Sequence, residues 1–246
     1  MKILYLNCFR TLKQNNKGQR DWLKKLVEMN DIDVVCLAES SNYEFGKMFP
    51  DNMFPDDEKH CWKAPKSSAF AKDGWKFYIC SKHPVVFESL DYEVPDNLLG
   101  SGDPEVLKDY GVGTMISVEF EEKGYIIMPV HIQFKSSKSQ TPNKGNAFYE
   151  YGLMKLRDFM LENNPIAVFG DFNNYPDDKS FLALTDSTGY RKANELVLPY
   201  TYKNNDTDSG VLIDHAFTNN ENVRMEYVPA IDVGFNHHGM LITIDE

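Results

Sequence analysis

The chain has 246 residues, of which 42% are hydrophobic and 13% aromatic, so it can bury a sizeable core and is not intrinsically disordered. Its formal net charge of −11 argues against a protein that grips a long polyanion by surface charge, but not against an enzyme whose acidic pocket binds a cation. No apolar run has the length of a membrane span and no secretory leader is visible, so we expect a soluble, cytoplasmic protein without stable membrane association.

The first half of the chain interleaves strand-like and helix-like segments. "ILYLN" alternates as a strand does, and "KGQRDWLKKLVEM" has its apolar residues at helical spacing. "DIDVVCLAES" predicts a buried strand that ends in a carboxylate, and "KFYICSKHPVVFESL" predicts two strands joined at the His83–Pro84 step. The four cysteines lack CxxC spacing, which favours reduced thiols over a zinc site or a disulfide framework.

The second half continues this pattern. "GVGTMISVEFEEKGYIIMPVHIQF" predicts a hairpin with its turn near Lys123–Gly124, and a helix is expected from about Asn146 to Leu161. A strand over Ile166–Phe169, a short helix near Lys179–Thr185 and three closing strands in "VLIDHAFTN", "VRMEYVPA" and "MLITIDE" follow. We therefore expect an α/β (α+β) fold of two packed sheets flanked by helices, in a single domain over residues 1–246.

The stretch "PIAVFGDFNN" places two polar side chains directly after a buried strand. If the chain stays extended beyond Gly170, Asp171 and Asn173 share one face and Phe172 points away. The alternative is a strand that ends in a turn rich in Asp and Asn. This stretch alone leaves both interpretations open.

Polar residues also interrupt or end the other apolar strands. The set consists of Asn7, Glu39, His131, Asp171, Asn173, Asp214 and His238. Carboxylate and amide oxygens suit a hard cation such as Mg²⁺, whereas imidazoles suit proton transfer and stabilisation of a charged phosphoryl group. We therefore expect these strand ends to converge on one pocket. His215 falls on the strand face opposite to Asp214 and is expected to pack in the core.

The order and wording of these motifs resemble the endonuclease/exonuclease/phosphatase superfamily, which has the DNase I-like fold. The resemblance runs from "ILYLNCF" through "DVVCLAES", "YICSKHPV", "VHIQF", "FGDFNN" and "IDHAF" to "NHHGML", nearly the whole chain. It implies a four-layer sandwich of two mixed β-sheets packed face to face with helices outside. It also implies a phosphoesterase that depends on Mg²⁺ or Mn²⁺.

The resemblance also implies residue roles. Glu39 is similar to the principal metal ligand of the family, with Asn7 beside it. Asp171 resembles the residue that orients or deprotonates the attacking water, and Asn173 and His131 would hydrogen-bond the phosphate. Asp214 and His238 resemble a carboxylate–imidazole pair whose histidine is an alternative base.

One motif departs from the family pattern. The family's closing Ser-Asp-His is matched to Asn236, His237 and His238, which puts His237 where the family has an aspartate. His237 is therefore expected either to act as a nitrogen ligand, favouring Mn²⁺, or to point to solvent.

The leading functional hypothesis is a nuclease that hydrolyses phosphodiester bonds in DNA or RNA. The alternatives are a phosphatase or phosphodiesterase acting on a small phosphate ester or a phospholipid head group, and a non-catalytic binding module on the same fold. Nucleic acid is the expected substrate, and no protein partner is predicted.

Overall fold

The computed structural model of the chain describes residues 1–8, 17–40, 49, 53–63, 76–93, 95, 112–132, 142–175, 178–193, 198–204 and 209–245. In this part of the chain the α-helices are α1 (Lys17–Asn30), α2 (Pro142–Asn163) and α3 (Lys179–Thr188). The strands are β1 (Lys2–Asn7), β2 (Val34–Ser40), β3 (Cys61–Lys63), β4 (Lys76–Ser81), β5 (Val86–Glu93), β6 (Val112–Phe120), β7 (Tyr125–His131), β8 (Ala167–Asp171), β9 (Arg191–Lys192), β10 (Tyr202–Asn204), β11 (Ser209–Val211), β12 (Asp214–Thr218), β13 (Val223–Val228) and β14 (Gly239–Ile244).

Within these residues the strands form two six-stranded mixed sheets. The first has the order β13-β14-β1-β2-β4-β3 and the second the order β5-β6-β7-β8-β12-β9, while β10 and β11 pair as a separate hairpin. The expected fold class is confirmed. Four short strands, β3, β9, β10 and β11, were not foreseen because two or three residues carry too little periodicity to be recognised.

Each sheet holds one parallel pair near its centre, and these two pairs position the polar strand ends. Strand β1 runs parallel to β2, which sets Asn7 opposite Ala38, one residue before Glu39. Strand β7 runs parallel to β8, which sets His131 opposite Asp171. Because the carboxyl ends of parallel strands meet at one sheet edge, each sheet delivers a pair of polar side chains to the same end of the sandwich.

The core lies in three layers that follow the alternation of the strands. Ile3 and Tyr5 face the second sheet and pack with Phe169 in the cluster between the sheets. Leu4 and Leu6 face the other way and join the cluster that buries the apolar face of α1. The outer face of the second sheet packs in the same manner against α2 and α3. Helices therefore cover both outer faces, which completes a four-layer sandwich.

The helices differ in length from the sequence expectation at some ends. Helix α2 begins at Pro142 rather than near Asn146, and α3 continues to Thr188. Asp178 caps the start of α3 by accepting from the Ser180 N–H, and Gly189 ends it in the left-handed conformation. Among the described residues, none of the helices combines the length and the apolar character that a membrane crossing requires.

Gly170 allows the two central strands of the second sheet to approach. It lies opposite Val130 in the β7–β8 pair and has a φ of 149°, a conformation that side chains rarely adopt. A Cβ atom at this position would collide with the Val130 carbonyl oxygen. Since Asp171 follows directly, this close approach also sets where its carboxylate points.

Replacement of Gly170 by alanine should lower the free energy of unfolding by roughly 2–4 kcal/mol, because it adds a backbone clash to an unfavourable φ. The measurement is urea denaturation of both proteins. Gly124→Ala is the matched control, because Gly124 also has positive φ (67°) but its Cβ would meet nothing within 4 Å. Equal losses for the two variants would show that the approach of β7 to Gly170 imposes no steric constraint.

Candidate active site

Asn7 links the two sheets at the polar end of the sandwich. Its Nδ2 donates to Glu39 Oε1 at 3.1 Å and to Asp171 Oδ2 at 2.9 Å. His131 approaches the same two carboxylates, with Nε2 at 3.1 Å from Glu39 Oε1 and 3.9 Å from Asp171 Oδ2. Four residues predicted from the sequence thus meet in one buried cluster.

The backbone around Glu39 departs from regular strand geometry. The pairing of β2 with β4 shifts register between Leu37 and Ser40, and Glu39 has a φ of +48°. A bulge turns the bulged side chain away from the regular alternation of a strand. Glu39 is buried near the end of a strand that is apolar up to Ala38, and the departure from regular geometry occurs where its side chain reaches the site.

Asp214 and His237 form a second buried pair next to the first cluster. His237 Nδ1 donates to Asp214 Oδ2 at 2.9 Å. The backbone of Asp214 is fixed as well, because its N–H donates to Thr201 Oγ1 at 2.9 Å and its carbonyl accepts from the Tyr227 hydroxyl at 3.2 Å. Asp214 also faces Asp171 across the β8–β12 pair, which joins the two clusters.

The expected pairing of Asp214 with His238 is wrong, since His237 occupies that place. The ring of His238 stacks on Tyr200, with centroids 5.9 Å apart and planes 23° apart. Successive side chains of an extended segment point to opposite sides, so only one of the two histidines can face Asp214. The match to Ser-Asp-His therefore shifts by one residue, and Asn236 takes the position of the aspartate. The role of His237 as a metal ligand stays a prediction.

Asp171 and Asn173 reach the site by a turn and not by continued extension. Strand β8 ends at Asp171, and Asn173 has a φ of +51°. Asp171 Oδ1 accepts from the Asn173 backbone N–H at 2.8 Å, which closes a local turn. Asn173 Nδ2 donates to the Ile132 carbonyl at 2.8 Å, so its side chain lies beside the end of β7. The extended interpretation is wrong, and the phosphate contacts of Asn173 and His131 stay predictions.

Burial and neighbouring charges set the protonation of the first cluster. Burial by itself raises the pKa of Glu39, but the hydrogen bond and charge of His131 outweigh it and hold this pKa below its ordinary value. Burial by itself lowers the pKa of His131, but Glu39 and Asp171 raise it above its ordinary value. The two groups therefore favour a carboxylate–imidazolium pair.

The pKa values of Asp171 and His237 shift more strongly than those of the Glu39–His131 pair. Burial, followed by the charge of Asp214, raises the pKa of Asp171 to about 7. Burial lowers the pKa of His237, but the charge and hydrogen bond of Asp214 reverse this effect and raise it to about 9. A carboxyl group with a pKa near neutral pH beside an imidazole that stays protonated there provides groups suited to general acid–base chemistry.

The arrangement fits a divalent cation. Within the described part of the chain, Glu39 Oε2 and Asp214 Oδ1 are buried carboxylate oxygens without a hydrogen-bond donor. Ligand atoms of Glu39, His131 and Asp171 lie within 4.8 Å of one another, as do those of Asp171, Asp214 and His237. Buried carboxylate oxygens that lack donors are stabilised by a hard cation, and Asp171 is common to both groups.

Sequence reasoning missed the residues that hold the site from behind. The Tyr5 hydroxyl donates to the Val130 carbonyl at 3.3 Å and accepts from the Asp171 N–H at 3.0 Å. Thr201 Oγ1 accepts from the N–H groups of both Ile213 and Asp214. A tyrosine in an apolar strand and a threonine in a loop carry no signal that would set them apart. His215 is buried in the core against Phe172, Phe181 and Phe217, as expected.

Comparison with known structures identifies the fold independently. Sphingomyelinase C from Streptomyces griseocarneus superposes with a TM-score of 0.66 at 13% identity, covering 100% of this chain and 99% of that chain. An endonuclease/exonuclease/phosphatase family protein from Leptotrichia buccalis C-1013-b gives 0.63 at 13% identity, covering 100% of both chains. A doubly substituted beta toxin from Staphylococcus aureus with bound magnesium ions gives 0.64 at 15% identity, covering 99% of both. At these identities the likeness shows the fold alone.

Comparison by sequence identifies the family. No curated protein sequence matches the chain. The model of the endonuclease/exonuclease/phosphatase family matches residues 4–234, which include Asn7, Glu39, His131, Asp171 and Asp214. Since this match takes in most of the chain, the protein belongs to the endonuclease/exonuclease/phosphatase family.

Proposed function

We propose that this protein is a divalent-metal-dependent phosphodiesterase that acts on nucleic acid. The observation that carries the proposal is the buried Asp171 carboxylate shared by two groups, one with Glu39 and His131 and one with Asp214 and His237. The residues proposed to bind a cation and those proposed to transfer a proton therefore lie next to one another.

Glu39 and Asn7 would hold the cation, and the hydrogen bonds from Asn7 Nδ2 also fix the carboxylates of Glu39 and Asp171. Oxygen ligands of this kind suit both Mg²⁺ and Mn²⁺. A bound divalent cation supplies charge neutralisation at a phosphoryl oxygen. The buried Glu39 Oε2, which lacks a hydrogen-bond donor, supports this assignment.

Asp171 is proposed to orient the attacking water and accept its proton. Its raised pKa makes its carboxylate a stronger base than an exposed aspartate, and the Asn173 N–H holds Oδ1 in one orientation. His237, protonated and held by Asp214, would donate a hydrogen bond to the phosphoryl group as charge accumulates there. The side-chain amide of Asn173 would add a second donor after a small rotation.

The charge of the site favours a diester over a monoester. The titratable side chains in the two groups are three carboxylates and two imidazoles. A phosphodiester brings one negative charge to this pocket, whereas a phosphate monoester brings about two at neutral pH. Nucleic acid and phospholipid head groups are both diesters, so a direct comparison of substrates must decide between them.

Hydrolysis should require an added divalent cation and should be fastest on nucleic acid. The measurement is the rate on plasmid DNA, RNA, bis-p-nitrophenyl phosphate and sphingomyelin, each with Mg²⁺, with Mn²⁺ and with excess EDTA. Full activity in EDTA would contradict the metal assignment. Hydrolysis of sphingomyelin with no hydrolysis of DNA or RNA would transfer the proposal to the phospholipid alternative.

Replacement of Glu39 by glutamine, or of Asp171 by asparagine, should lower turnover by roughly 10²-fold or more, because each removes a charge from the site and little volume from the core. Steady-state rates on the best substrate measure this, with circular dichroism as the test of folding. Glu88→Gln is the matched control, since Glu88 is an exposed carboxylate on β5. Near-normal turnover in either site variant would show that the assigned carboxylates are not catalytic.

The His237–Asp214 pair should give a defined pH dependence of stability. The pKa of His237 in the folded protein is about 9, above its ordinary value. The pair therefore contributes its full stabilisation of the folded state at pH values below the pKa that His237 has in the unfolded chain. This contribution is lost as the pH rises through the folded pKa. In EDTA, His237→Asn should therefore unfold more easily than the native protein near about pH 6, and the gap should shrink near about pH 10.

Urea denaturation at the two pH values measures this gap. His60→Asn is the control, because the imidazole of His60 pairs with the half-exposed Asp57 and such surface pairs contribute little to stability. A gap for His237→Asn that is equal at both pH values would show that Asp214 does not stabilise the imidazolium.

A further inference from the structure

The segment from Tyr200 to Asn204 contacts both members of the Asp214–His237 pair, although none of its residues was assigned a role from the sequence. Thr201 Oγ1 accepts from the Asp214 N–H at 2.9 Å. On its other side the segment runs antiparallel to residues 236–238, with a bridge between Tyr202 and His237. The segment therefore fixes the relative position of the aspartate and the histidine.

The hydrogen bonds of this bridge determine how close the two side chains lie. The Lys203 N–H donates to the Asn236 carbonyl at 2.8 Å, and the His238 N–H donates to the Thr201 carbonyl at 2.7 Å. These bonds flank Tyr202 and His237 without joining them, which defines a non-hydrogen-bonded antiparallel pair. In such pairs the Cα atoms are about 4.5 Å apart and the side chains pack against each other on one face.

The two rings are accordingly in contact. Their centroids are 4.8 Å apart and their planes are inclined by 50°. In the neighbouring pair, Tyr200 and His238, the ring centroids are farther apart, at 5.9 Å, and the planes are inclined by 23°. Tyr202 thus packs on the histidine that Asp214 binds, and Tyr200 packs on the histidine that points elsewhere.

A hydrogen bond from Nδ1 fixes the position of that nitrogen, but the imidazole ring can still rotate about the axis through the bond. Asp214 Oδ2 accepts this bond from His237. A bulky ring packed at 4.8 Å restricts the remaining rotation and so directs Nε2, the other ring nitrogen. Small errors in the orientation of a catalytic group can cost about 10²-fold in rate.

We propose that Tyr202 is a positioning residue that holds the His237 imidazole in its productive orientation. The proposal rests on the role given to His237 under the proposed function. The aromatic ring performs this task, so phenylalanine should replace tyrosine and an aliphatic residue should not. Tyr202 acts through His237 and need not contact the substrate.

The test compares Tyr202→Leu and Tyr202→Phe with the native protein on the best diester substrate. Tyr202→Leu should lower kcat by about 10-fold or more with KM changed by less than about threefold, because orientation of the imidazole affects the reaction more than binding. Tyr202→Phe should retain kcat within about threefold. Tyr200→Leu is the matched control on the other histidine and should also stay within about threefold. Tyr202→Ile, which has a high strand propensity, replaces the leucine variant if that variant does not fold.

A double-mutant cycle with His237→Asn separates the two proposals. If Tyr202 acts through His237, Tyr202→Leu should cost less than about twofold once His237 is absent. An equal loss in both backgrounds would overturn the positioning role, as would native kcat in Tyr202→Leu. Native activity in His237→Asn alone would instead overturn the proposed catalytic role of the Asp214–His237 pair.

A second measurement is independent of turnover. In the native protein the His237 Nδ1 proton, bonded to Asp214, should give a downfield, slowly exchanging NMR signal. Tyr202→Leu should accelerate this exchange by about 10-fold or more, and Tyr202→Phe should not. The same exchange rate in all three folded proteins would overturn the inference even if no substrate were known.

Discussion

Three carboxylates buried at one end of the sandwich impose the constraint on which the rest of the site depends. Glu39, Asp171 and Asp214 have exposed fractions of 4%, 2% and 0%. Such groups are stable only if each is hydrogen-bonded, paired or bound to a cation. Asn7 donates hydrogen bonds to Glu39 and Asp171. His131 pairs with Glu39, and His237 pairs with Asp214. Tyr5 and Thr201 fix the backbone behind them, so the core itself contributes to the site.

The general location of this site could be predicted because it follows from topology. Apolar strands that end in an acid, an amide or an imidazole are visible in the sequence, and parallel pairs bring such ends together. Asn7 with Glu39, and His131 with Asp171, illustrate this relation, one pair in each sheet. The resemblance of the motifs to a family then implied that both sheets are mixed and that helices lie outside them, whereas the order of the strands was not predicted.

The details that could not be predicted depend on single backbone conformations. The choice between His237 and His238 turns on a one-residue register, and both residues have the same chemistry. The turn at Asn173 depends on a left-handed backbone conformation at this residue, which asparagine tolerates but does not require. The contact of Tyr202 with His237 comes from a three-residue strand that joins distant parts of the chain. Sequence patterns record the side-chain type at these positions, but tertiary contacts select the conformation.

The charge balance of the pocket explains why instability and reactivity occur in the same group. With both imidazoles protonated, three ionised carboxylates still exceed the positive charge, and Asp171 meets this excess by holding its proton up to a pKa of about 7. A divalent cation would reverse the excess and allow Asp171 to ionise while it remains buried. The burial that makes the ionised carboxylate costly is also what makes it basic. Cation binding, the stability of this end of the sandwich and the availability of a base therefore all depend on the same balance of charges.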